Sequence, residues 1–123
     1  ICTYDATATT NNLIIYLNGV QDGIQSSTAA NAMAANAYNF ELGHNNQYPA
    51  SSYLFNGGLD EVRLYDTALT SANAVSIYNG GSGDDPDNPT ASGNLIAQWK
   101  LNESSGSTAE DSAGSYDGTV INP

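Results

Sequence analysis

The chain predicts an all-β fold, an antiparallel sandwich or barrel, and three observations point there. From Ile1 to Tyr65 the apolar residues come in short runs broken by Asn, Gly, Pro and Ser, which is the punctuation of strands and turns rather than a helical period. Leu13-Ile14-Ile15-Tyr16-Leu17 is apolar on both faces and runs into Asn18-Gly19, the strongest short hairpin signal. Later, Leu95 to Leu101 alternates and puts Leu95, Ala97, Trp99 and Leu101 on one side, a strand with a buried tryptophan face. A length of 123 residues suits one domain with a real core and is too short for two of ordinary size.

Taken in order, the hairpin returns through Val20 to Gln25, and Phe40 to Gly43 is the next candidate strand, followed by a polar surface loop from Asn45 to Ser52. Residues 29 to 37 favour helix by alanine content but lack a charged face or a capping box, so they read as a loop or a single turn. Thr70 to Tyr78 is a short helix. Thr70 can cap it, Ala72, Val75 and Tyr78 fall near one face, and Gly80-Gly81 stops it. Residues 80 to 93 are rich in Gly, Pro and Asp and have no large apolar side chain. They cannot order themselves by burial and are expected to be a flexible acidic linker.

Thirteen Asp and Glu stand against Arg63 and Lys100 alone, a formal charge of −11 that repels phosphate backbones and anionic lipid. Nucleic acid and membrane insertion are therefore not expected partners. Cys2 is the single cysteine, which excludes an internal disulfide and every Cys-based zinc or iron–sulfur site within this chain, and it reads as a small buried hydrophobe. Heavy use of Asn, Ser, Thr, Gly and Tyr with almost no lysine suits a secreted, turn-rich β protein. With no initiator Met, signal peptide or apolar run of membrane-spanning length, residue 1 is not expected to be the start of translation.

Phe55-Asn56-Gly57-Gly58-Leu59-Asp60-Glu61-Val62-Arg63-Leu64-Tyr65, continuing through Thr70, resembles the closing strand and short helix of the laminin-G-like and pentraxin-like jelly rolls in the concanavalin A type lectin/glucanase superfamily. Thr3-Tyr4-Asp5 and Leu13 to Val20 resemble that family's upstream hairpin. The tail, with Trp99-Lys100-Leu101-Asn102-Glu103, Ser105-Gly106 and Asp111-Ser112-Ala113-Gly114, is similar to the opening of the same domain, so the order is reversed. The resemblance implies a jelly roll with one short helix after the closing strand. It divides the chain into a closing portion (1–79), a linker (80–93), and an opening strand with a calcium loop (94–123). The family's middle strands are not visible. Two arrangements satisfy the exposed edge: the tail folds back as in a circular permutation, or it completes the sheet of a neighbouring copy by strand addition. The second, taken as the leading expectation, does not close on itself and makes fibres.

If Val62 and Leu64 face the core, alternation puts Asp60 on the same face, where an unpartnered carboxylate costs several kcal/mol. Either a cation or hydrogen-bond donors must answer it. The resemblance implies a structural Ca²⁺ held by Asp60, Asp111 and the carbonyls around Gly114 and Ser115, with Asp117 a spare ligand, an oxygen set that suits a hard cation. The alternative is that Asp60 accepts backbone or hydroxyl hydrogen bonds and no metal binds. His44 is the only histidine and makes neither a triad nor a zinc site. Asp84, Asp85 and Asp87 lack the spacing of an EF-hand because Pro86 and Pro89 interrupt them, and they read as solvated linker.

The Glu-x-Asp-x-x-Glu signature of the glucanases is absent, and Asp60 and Glu61 point to opposite faces of one strand, so the chain is expected not to be an enzyme. Aromatic and amide side chains can form a sugar-binding surface, and Tyr38, His44, Asn46, Tyr48 and Tyr53 are the candidates, although tyrosine also fills cores and edges of sandwiches. Asn102-Glu103-Ser104 matches a glycosylation sequon. The expected role is an extracellular, calcium-stabilised adhesive or scaffold module whose partners are other copies of itself or adjacent repeats. The alternative is a carbohydrate-binding module of a secreted hydrolase, with glycans as partners. A third reading is a fragment of a longer multi-domain protein.

Overall fold

The computed structural model describes residues 1–26, 39–43 and 54–121. They form three antiparallel sheets and one short helix, with no closed barrel among the described strands. The first sheet joins β1 (Cys2–Tyr4), β2 (Leu13–Leu17) and β3 (Val20–Gln25) in that order. Asn18 and Gly19 both take positive φ, 52° and 75°, the two left-handed residues that a type I′ turn needs between Leu17 and its partner Val20. A bulge between Ile15 and Tyr16 shifts the register, turning Tyr16 into a buried site at 5 % exposure while Ile15, Leu17 and Val20 stay exposed. Cys2, paired with Ile15, is on that open face and is exposed rather than buried.

Residues 39–43 form no strand. The short ladder expected over Phe40 to Gly43 has no partner strand among the described residues, and the segment is held instead by the Phe55 amide donating to the Gly43 carbonyl and by Phe40 stacking on Trp99 with ring centroids 5.9 Å apart. Residues 29 to 37 and the loop from Asn45 to Ser52 lie outside the described residues.

The helix α1 (Ser71–Tyr78) begins where the sequence places it. The Thr70 hydroxyl accepts from the Asn73 amide while the Asn73 side chain accepts from the Thr70 amide, a reciprocal capping box. Asn79, with φ 45°, ends it in the left-handed region. Its buried residue is Ala74, not the expected Ala72 and Val75, because the helix lies on β3 through its smallest side chain and Val75 is turned out to solvent. Tyr78 closes the contact by packing over the hairpin turn, where an added Cβ at Gly19 would sit 3.0 Å from the Tyr78 Cβ.

β4 (Val62–Tyr65) pairs antiparallel with β5 (Leu95–Trp99), in the register Val62 to Trp99, Arg63 to Gln98 and Leu64 to Ala97. Within the single chain the tail strand β5 thus lies beside β4. Trp99 also bridges Asp111 on the far edge of β5, and β6 (Thr108–Ala109) pairs with β7 (Gly118–Thr119) beyond. Ala97, Trp99 and Ala109 form the buried core here, with Val62 and Leu101 against it, and the Trp99 indole N–H donates to the Tyr116 carbonyl at 2.9 Å. Three successive residues of β5 are buried, Ala97, Gln98 and Trp99, so both faces of this strand are covered.

What covers the second face is the segment expected to be a flexible linker. Residues 84 to 90 cross β4 and β5 as a strap: the Arg63 guanidinium donates to Asp84 at 2.8 Å, the Tyr65 hydroxyl to the Thr90 carbonyl at 3.1 Å, and the Gln98 amide to the Pro86 carbonyl at 3.1 Å. Lys100 pairs with Asp87 at 2.6 Å. Both cations of the chain therefore hold the strap. Composition argued for disorder because no apolar burial is available there; hydrogen bonds and ion pairs to one strand pair supply the order instead.

Gly19→Ala is predicted to destabilise the chain by about 1–3 kcal/mol, since a Cβ at positive φ strains the backbone and also meets Tyr78. Chemical denaturation should show a lower midpoint with the slope unchanged, whereas an unchanged midpoint would mean the turn does not seat the helix.

Candidate functional site

Asp111 is the best-defined ionisable group of the tail. At 5 % exposure its carboxylate faces inward: Oδ1 accepts the amides of Gln98 at 2.9 Å and Ala113 at 3.0 Å, and Oδ2 accepts that of Tyr116 at 3.0 Å. Burial pushes this carboxyl up, but the amides of Gln98, Tyr116, Ala113 and Gly114 outweigh it and hold Asp111 below the ordinary carboxylate range. Past the end of β5, Leu101 takes φ 54°. The Asp117 carboxylate accepts the Asp111 amide at 2.9 Å, and Glu103 accepts the Glu110 amide at 2.7 Å and is held below its ordinary range by that bond.

Asp111, Gly114 and Ser115 line one open cavity of about 620 Å³, together with Glu103, Glu110 and Asp117. The sequence reading brought Asp111, Gly114 and Ser115 here and named Asp117; it missed Glu103 and Glu110, whose only signal was their nearness to the same turns. Asp60 is not among the lining residues. It is exposed, and it precedes β4 instead of lying within it. Glu61 between them has φ 48°, which breaks the alternation that would have aimed Asp60 into the core beside Val62. For the same reason Asp60 and Glu61 are not two faces of one strand.

Asp60 is exposed and does not line the cavity that Asp111, Gly114 and Ser115 share, and the Asp111 carboxylate accepts three main-chain N–H groups. No group of three or more His, Cys, Asp or Glu is gathered in metal-binding fashion among the described residues. Asp84 is half-buried and engaged inward, whereas Asp85 and Asp87 are exposed. Asp84 accepts from Arg63 and from the Thr90 amide, and Asp85 accepts the Asp87 amide. Burial raises the Asp84 carboxyl, yet the Thr90 amide and hydroxyl and the Arg63 charge together hold it below the usual range.

The second built feature is polar. The Arg63 side chain is 6 % exposed and bonds Asp84 and, at 3.3 Å, Glu61, which also accepts from the Gln98 amide at 2.9 Å. Beside it a shallow cavity of about 300 Å³ is lined by Pro86, Asp87, Pro89, Leu95, Gln98 and Lys100. Asn102 is exposed just past β5, open to modification as its sequon requires. Tyr38, His44, Asn46, Tyr48 and Tyr53 lie outside the described residues.

A family model of the laminin G-like type, described as the concanavalin A-like lectin/glucanases superfamily, matches residues 1–74. The chain belongs to that superfamily. The matched region takes in the hairpin, the closing strand β4 and the first half of α1, whereas β5 and the Asp111 turn lie beyond it. No curated protein and no solved structure matches the chain.

Asp84 and Asp111 both have lowered pKa values in the folded chain, so their contribution is complete above the ordinary value of 3.8 and is lost as pH falls through the lowered ones. The melting temperature should be flat from neutral pH to about pH 5 and fall steeply below about pH 4. Asp111→Asn, which turns one acceptor into a donor facing amides, should cost about 1–3 kcal/mol at neutral pH and flatten that acid limb. Calcium and a chelator should give the same melting temperature. A calcium-dependent rise would show that the Asp111 turn rearranges to admit the ion.

Proposed function

We propose that the chain is a non-catalytic contact module that works outside the cell, an adhesive or scaffold unit built on a jelly-roll sandwich. The observation that carries this reading is how the acidic groups are employed. Asp84, Asp111, Asp117, Glu61 and Glu103 each accept hydrogen bonds from the chain's own amides or side chains and so hold loops in place. A hydrolase of this superfamily needs an acid and a nucleophile about 5.5 Å apart across a cleft, both free to exchange protons. Membership of a lectin/glucanase superfamily supports a contact role of the general kind. Among the described residues no helix is long and apolar enough to cross a membrane.

The exposed apolar face of Ile15, Leu17 and Val20 favours protein contact over a freely solvated surface. Carbohydrate binding is the second reading, favoured by the superfamily and by the polar cavity along Gln98 and Lys100. The turn around Asp111 is held by main-chain amides in either reading. Glycosylation at Asn102 is compatible with both.

A glycan array and self-capture on a surface coated with the chain separate the readings. The scaffold reading expects concentration-dependent self-capture, no selective sugar binding and no release of reducing sugar. Selective binding to one glycan class without self-capture would replace it with the second reading, and sugar release would overturn both.

A further inference from the structure

We propose that residues 84 to 121 form a detachable module that docks on β4 of its own chain or, by exchange, on β4 of a second copy, with Asn79 to Gly83 as the hinge. The inference rests on the scaffold reading above and names the partner: another copy of this chain.

Three observations converge on the hinge. Asn79, Gly80, Gly81 and Gly83 all have positive φ, 45°, 64°, 94° and 74°, and every residue from Asn79 to Gly83 is exposed. An added Cβ at Gly80 or Gly83 meets nothing within 4 Å, and one at Gly81 meets only the Tyr78 ring, at 3.6 Å and beyond. The bonds that hold the segment stay within it or reach back to the end of α1, such as the Asn79 side-chain amide to the Gly83 carbonyl at 2.9 Å and the Gly83 amide to the Tyr78 carbonyl at 3.3 Å.

On the far side of the hinge the strap, β5 and the Asp111 turn are tied to one another. The Gln98 amide and carbonyl bond Asp111 and Ser112, the Gln98 side chain bonds Pro86, and Lys100 bonds Asp87. Among the described residues this unit meets the rest of the chain where Phe40 stacks on Trp99 and along β4. Its partners there are the ladder from Val62 to Tyr65, Arg63 to Asp84, Glu61 to Gln98, Tyr65 to Thr90 and Asp66 to Asn94.

An identical β4 on a second copy offers the same ladder, the same guanidinium for Asp84 and the same carboxylate for Gln98. Exchange remakes these contacts and changes only the path of five exposed hinge residues. A reciprocal exchange closes a dimer. A one-way exchange leaves β4 free at one end and the module free at the other, which propagates. The charge of −11 on each copy opposes association and is screened by salt, so exchange should be stronger at high ionic strength.

Register pairs Leu64 with Ala97, so a disulfide between these positions reports which copy supplies β5. The test uses the full chain with Cys2→Ser, Leu64→Cys and Ala97→Cys, refolded from denaturant over a range of concentrations, oxidised, and run on a non-reducing denaturing gel. Covalent dimers and longer ladders are expected, their share rising about tenfold for each tenfold rise in concentration while they remain the minority. Deleting Gly80, Gly81 and Ser82, which prevents the strap from reaching its own Arg63, should convert the folded product to covalent oligomers at every concentration. Bonds that stay within one chain at all concentrations overturn the exchange. Should the deletion variant fail to fold, the concentration series of the parent decides alone. Self-capture that persists while every disulfide is intrachain would overturn exchange and leave the scaffold reading standing.

Discussion

The Arg63 guanidinium is the contact on which the second half of the molecule depends. It comes from the middle of β4, is almost fully buried, and is answered by Asp84 from the strap and Glu61 from the turn before the strand. A buried charge of this kind is costly alone and tolerable only when paired and hydrogen-bonded. Gln98 completes the arrangement by joining Glu61 to the Pro86 carbonyl. Without the strap, Arg63 and Gln98 would both sit on an open sheet face. With it, β5 is covered on both sides and the strand pair acquires a second, polar core opposite Trp99.

The same economy of charge runs through the rest of the chain. Thirteen acids cannot be neutralised by two bases, so most carboxylates that are placed inward must be stabilised by something else. The amide N–H is the donor available in every residue but proline, and the chain uses it repeatedly: on Asp111 from Gln98, Ala113 and Tyr116, on Asp117 from Asp111, on Glu103 from Glu110, on Asp5 from Thr7. Each such bond fixes a turn, and on Asp5, Glu103 and Asp111 it also favours the ionised form. The acidity that repels anions from the surface is, locally, what shapes the loops.

Apolar burial is correspondingly modest. Tyr16, Leu69 and Ala74 are buried, Ala97, Trp99 and Ala109 form a second cluster around β5, and Ile15, Leu17 and Val20 are exposed to solvent.

Local signals were legible in the sequence because their causes are local. Asn18-Gly19 supplied two left-handed residues, Thr70 and Asn73 capped each other, and the alternation from Leu95 to Trp99 gave a strand whose Trp face is buried. The similarity of β4 and the tail to adjoining strands was also readable, and the two do pair. Asp111, Gly114 and Ser115 were brought to one turn as expected, but Asp60 was not, because a single left-handed residue at Glu61 undid an argument from alternation. Nor could the sequence show that Cys2 faces outward, that Phe40 stacks on Trp99 instead of joining a sheet, or that Ala74 is the contact of the helix. The sequence by itself determined turns, caps, strand periods and the excess of acid. Only the tertiary structure decided that residues 84 to 90 are ordered, because their order comes from Arg63, Tyr65 and Gln98, side chains distant along the chain and adjacent only once β4 and β5 have paired.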